Sequence, residues 1–96
     1  TSRPFDSADY IDTPEAVAAY LEAALEDGDA QIIAATLGDI ARSKGMATIA
    51  ERTGLAREAL YKSLSADGNP RLTTLLGVLK AMGLRLSVTT DSHQAA

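Results

Sequence analysis

Glycines at positions 28, 45, 54, 68 and 83 cut this chain into short segments, and that spacing limits what it can fold into. Between them, apolar residues recur at the three- and four-residue intervals of an amphipathic helix. The first helix has a clear start: Thr13 can cap it, and Pro14 suits the first helical position because its missing N–H would have no partner there. Glu15 adds negative charge at the positive end of the helix dipole. Val17, Tyr20, Leu21, Ala24 and Leu25 form its apolar stripe, and Gly28 ends it. Asp29 caps a second helix with the stripe Ile32, Ile33, Leu37, Ile40 and Ala41; Arg42 and Lys44 suit its last turn, and Gly45 stops it.

Two shorter helices follow, at about 46–53 and 56–64, with Gly54 between them. The run Ser65-Ala66-Asp67-Gly68-Asn69-Pro70 is dense in turn residues and predicts a loop. A fifth helix then spans about 72–82, with Leu72, Leu75, Leu76, Val78, Leu79 and Met82 mostly inward. After Gly83 the period drops to two: Leu84, Leu86 and Val88 alternate with Arg85, Ser87 and Thr89, a strand pattern with one apolar face. A lone strand leaves an unpaired edge, which the same strand of a second subunit could cover across a two-fold axis. The alternative is an extended segment lying on the helices. The expected class is therefore all-α, five helices with a short C-terminal β-strand. Residues 13–89 are expected to form a single helical domain, preceded by an arm at 1–12 and followed by a disordered tail at 90–96. A chain of 96 residues buries only a modest core, so stability depends on close helix packing or on a second subunit.

The stretch from Met46 to Lys62 carries the most information. Ala50 is small where the following helix would cross closely, and Gly54 permits a positive φ in the turn. Leu55 fills the angle between the two helices, while Ile49, Leu60 and Leu64 point into the core. This is the pattern of a helix-turn-helix, at about 46–64, whose second helix enters the major groove by its N-terminal end. A purely structural helical hairpin has the same local pattern.

On that geometry the second helix exposes Ala56, Arg57, Glu58, Tyr61 and Lys62. Arg57 can pair bidentately with a guanine edge, and Glu58 can accept from cytosine or orient Arg57. Tyr61 can touch a thymine methyl or a phosphate, or pack partly on the fifth helix. Lys62, Thr48, Asn69 and Arg71 are phosphate candidates, although ordinary surface charge explains any single lysine or arginine. One subunit makes few phosphate contacts, so two subunits on two half-sites are expected, dimerised through Leu84, Leu86 and Val88.

Charge is unevenly distributed. Residues 1–40 carry Arg3 alone against nine carboxylates, whereas residues 41–96 carry eight cations against four. The basic part can face phosphate; the acidic part can face a basic protein, or simply be a solvated surface. Other chemistry finds no support in the residue pattern. With no cysteine there is no disulfide, thiol nucleophile or thiolate metal site, and His93 stands alone in the expected tail. No phosphate-binding glycine loop or paired-carboxylate signature occurs, so no enzyme, metal or cofactor is expected. No apolar run is long enough to span a membrane, and Thr1 to Asp6 lack the regions of a secretory signal, so a cytoplasmic protein is expected.

The motifs at 10–15, 20–29, 37–42, 44–46, 53–62, 68–71 and 83–86 together resemble a known family. It comprises the antidotes of chromosomal type II toxin–antitoxin modules, in which a small RelE/ParE-like toxin is encoded beside a lambda-repressor-like (Xre-type) helix-turn-helix antitoxin. The resemblance covers about residues 5–88. It implies a lambda-repressor-like fold, binding to the module's own operator DNA to repress it, and neutralisation of the toxin by direct contact. The acidic half (Glu15, Glu22 and Glu26) or the arm with Phe5 and Tyr10 would contact the toxin. One departure is Ala56, which stands where such proteins usually carry serine or threonine at the N-cap. The competing reading is a stand-alone helix-turn-helix transcription regulator with no toxin partner.

Overall fold

The computed structural model describes residues 13–91, and within them the chain is all-helical. Five helices are present among the described residues: α1 (Pro14–Asp27), α2 (Ala30–Lys44), α3 (Met46–Thr53), α4 (Arg57–Ser63) and α5 (Leu72–Ala81). The two long helices begin as their sequences dictate. The Thr13 hydroxyl accepts from the Ala16 amide at 3.1 Å, and an Asp29 carboxylate oxygen accepts from the Gln31 amide at 2.9 Å. Each satisfies a donor that the first turn leaves without a helical partner. Gly28 ends α1 in the left-handed region, φ 78°, where a Cβ would be strained.

α1 packs on α2, and α3 packs on α2, α4 and α5, which makes the short α3 the centre of the fold. Leu37 and Ile40 of α2, Ile49 of α3, Leu60 of α4, Leu64, and Leu79 of α5 are fully buried together, with Val17 of α1 in the same cluster. Burying each such side chain contributes about 1.5–3 kcal/mol, so the six large ones outweigh any single surface interaction. Gly38 marks the closest approach: a Cβ there would fall on the Leu64 carbonyl, so α2 and the end of α4 meet backbone to backbone.

Four apolar positions expected inside are outside. Ile32 and Leu25 are exposed, and Leu72 is 65% exposed with Leu76 beside it. Ala34, Thr36 and Gly38 take the buried side of α2 instead. On α2 these small residues join the buried Leu37, Ile40 and Ala41, and Ile32 is left outside that face.

The expected C-terminal strand is not formed among the described residues. α5 ends in a Schellman arrangement, with the Leu84 amide donating to the Leu79 carbonyl at 2.8 Å and the Gly83 amide to the Lys80 carbonyl at 3.0 Å. Leu84 folds back onto the core, but the apolar face then leaves it: Leu86 is 40% and Val88 96% exposed. A strand needs a ladder partner, and one chain supplies none. The expected arm at 1–12 and most of the tail lie outside the described residues. No helix among the described residues is long and apolar enough to cross a membrane.

Candidate nucleic-acid interface

The turn between α3 and α4 is fixed by its own side chains. The Thr53 hydroxyl donates to the Ile49 carbonyl at 2.8 Å and accepts from the Leu55 amide at 3.3 Å. Gly54, at φ 76°, donates to the Ala50 carbonyl at 2.8 Å and closes α3. Leu55 then packs half-buried against the core. Leu60 and Leu64, both fully buried, hold the inner side of α4. This leaves Arg57, Glu58, Tyr61 and Lys62 exposed, and their spacing puts them on one outward face.

All eight residues that the sequence points to for nucleic acid are exposed, Ala56 and Tyr61 included. Tyr61 is only 41% exposed, so its ring lies partly on the protein and its position is restrained. Asn69 and Arg71 occupy the loop before α5, and Arg71 sits at that helix's N-cap position. The loop is held at its start: Ser65 Oγ donates to the Lys62 carbonyl at 3.0 Å, and the Gly68 amide donates to the Ser65 carbonyl at 2.9 Å. Gly68 lies so close to the Ser63 carbonyl that a Cβ could not be placed there.

Thr48 stands apart from the α4 face, on α3. It lines a cavity of about 340 Å³ that Lys44 and Arg52 also line. Neither cation is among the interface residues expected from the sequence. Thr48 and Arg52 are four residues apart on α3 and share a face, whereas Lys44 reaches it from the end of α2 across the non-helical Gly45, which spacing alone does not reveal. Arg52 also has a structural role, since its Nη1 donates to the Ala81 carbonyl at 2.8 Å and satisfies one of the last carbonyls of α5.

A second surface is acidic. α1 carries Glu15, Glu22 and Glu26 on one stripe, all exposed, and no cation occurs between residues 13 and 41. Phe5 and Tyr10, expected to meet the same partner, lie outside the described residues.

The family model for a probable addiction module antidote protein matches residues 1–90. The chain belongs to this antidote family. An uncharacterized protein of Haemophilus influenzae is 40% identical over 86 residues, which covers 90% of this chain and 89% of the relative. No solved structure matches the chain. In this antidote, α4 begins at Arg57 with no side-chain cap, because Ala56 offers no oxygen. Its seven residues are too few to persist alone, so its placement depends on Leu60, Leu64 and the turn.

Proposed function

We propose that this antidote is a sequence-specific DNA-binding protein of the lambda-repressor-like (Xre) type that represses its own operon and neutralises a RelE/ParE-like toxin by direct binding. It acts by stoichiometric association in the cytoplasm, without turnover. Its family supports the antidote role and implies a toxin partner. The observation that carries the DNA-binding half is the α4 face: Arg57, Glu58, Tyr61 and Lys62 project from a helix whose other side is locked by Leu60. Base recognition needs such a helix, with side chains free on one side and position fixed by the other.

In this reading Arg57, with Glu58 beside it, reads base edges, while Lys62, Thr48, Asn69 and Arg71 hold phosphates. Two subunits paired along the backbone edge of residues 84–88 present two copies of α4 to two half-sites. Val88 is then covered by the second subunit. The acidic helices do not face phosphate; they meet the cations that an RNA-cleaving toxin carries for its substrate.

The test is a mobility-shift titration of the protein on the DNA immediately upstream of its own reading frame, against a scrambled duplex, at about 50 and about 200 mM salt. A preference for the upstream DNA, with affinity falling steeply with salt, supports operator binding. Equal affinity for both duplexes, or a flat salt response, contradicts it.

A further inference from the structure

We propose that the groove between α1 and the segment following α5 is the docking site for a cationic amphipathic segment of the toxin. This rests on the antidote reading above and gives it a location. The groove holds about 610 Å³. Leu21 and Leu79, both buried, form its floor, and Leu25, Leu84 and Leu86 form its apolar walls. It is a built feature, because the Schellman end of α5 and the anchoring of Leu84 send the chain back along α1. Leu25 and Leu86 remain 43% and 40% exposed in it, so its apolar surface is only partly covered by the chain itself.

Glu22 and Glu26 stand on α1 along this groove, one helical turn apart. Like charges at that spacing disfavour a helix. Among the described residues neither carboxylate has a hydrogen-bond or ion-pair partner. The leucines and the Glu22 and Glu26 carboxylates of α1 face Arg85, Ser87, Thr89 and Asp91 on the other side, a lining with a net negative charge. It suits an occupant with apolar side chains for the leucines and Lys or Arg one turn apart for Glu22 and Glu26. The α1 wall from Ala18 to Glu26 is about 12 Å long, which matches about two turns of a partner helix.

Charge decides against the other occupants. Residues 1–12 bring Arg3 but also Asp6, Asp9 and Asp12, and residues 92–96 bring no lysine or arginine. A second copy placed in the groove across a two-fold axis would set Glu22 and Glu26 against their own equivalents. Among the described lining residues only Arg85 could offset that.

The experiment uses the full chain and the purified product of the adjacent reading frame. Glu22→Lys combined with Glu26→Lys is expected to weaken the complex about 100-fold or more, and the paired Gln variant about 10-fold. Arg57→Ala leaves it unchanged. Both glutamates are exposed, so an unchanged thermal midpoint shows that the variants fold. Because the chain has no cysteine, Ala18→Cys places a single thiol in the groove. Its alkylation is expected to be fast in the free protein and on the order of 10-fold slower in the complex, where the partner excludes water from the groove. Wild-type affinity in the charge-reversal variant overturns the groove and leaves the antidote reading standing. So does a thiol already shielded in the free protein, which would place a second copy or the chain's own ends there. If the wild-type protein does not bind that product, the antidote reading falls and takes this inference with it.

Discussion

The long N-terminal helices and the short pair that follows are stabilised in opposite ways. α1 and α2 span 14 and 15 residues and start with side-chain caps at Thr13 and Asp29. α3 and α4 span eight and seven residues and have no side-chain cap at their starts. The starts of the first pair are set locally, by caps beside each helix, while their inner faces share the core with the rest. The second pair exists because Ile49, Leu60 and Leu64 are driven into a core shared with α2 and α5. The charge divides along the same line: no cation between residues 13 and 41, and a cationic excess after it. On the proposed reading, the surface that meets a basic partner rests on helices whose starts are fixed by their own caps. If α4 enters a groove in DNA, as proposed, its outer face must be free, so it is held from within.

That contrast is disrupted most severely at Gly38. Gly38→Ala drives a methyl group into the Leu64 carbonyl and is expected to cost about 3 kcal/mol in urea unfolding, with α4 loosened first. A loss below about 0.5 kcal/mol would mean that α2 and the end of α4 are not in backbone contact. Removing a local cap is milder. Thr13→Ala is expected to cost about 1 kcal/mol, read as a lower thermal midpoint, and to leave DNA binding unchanged. A change in DNA affinity would show that α1 and α4 are energetically coupled. The smallest effect has the opposite sign. Ala56→Ser supplies the missing oxygen at the start of α4 and is expected to stabilise by about 0.5 kcal/mol. No gain, or a loss, would show that the first turn of α4 already has its amides satisfied.

The locally specified parts are legible in the sequence. Thr13, Pro14, Gly28 and Asp29 place the ends of α1 and the start of α2, and Gly54 places the α3–α4 turn, because each of these residues acts on its own backbone. The outward face of α4 can be read for the same reason, since Leu60 and Leu64 fix it by periodicity. What the sequence hides depends on tertiary packing. The exposure of Ile32, Leu72 and Leu76 follows from which helix lies opposite, and periodicity does not reveal that. Gly38 looks like an ordinary interior residue because its reason is the Leu64 carbonyl, 26 positions away. The alternation at Leu84, Leu86 and Val88 is real, but no strand forms in a single chain because a ladder requires a second edge. The groove beside Glu22 and Glu26 has no sequence signature either, since it arises where the path after Gly83 crosses α1.

If two separate surfaces do two separate jobs, a change on α4 must silence one and spare the other. Arg57→Ala is the decisive variant, assayed in one preparation for operator affinity and for rescue of cells expressing the adjacent gene. Operator binding is expected to weaken about 10- to 100-fold, the loss of one base contact, with rescue at the wild-type level. Rescue lost together with DNA binding would show that the two surfaces are one, and undiminished DNA binding would remove α4 from the interface.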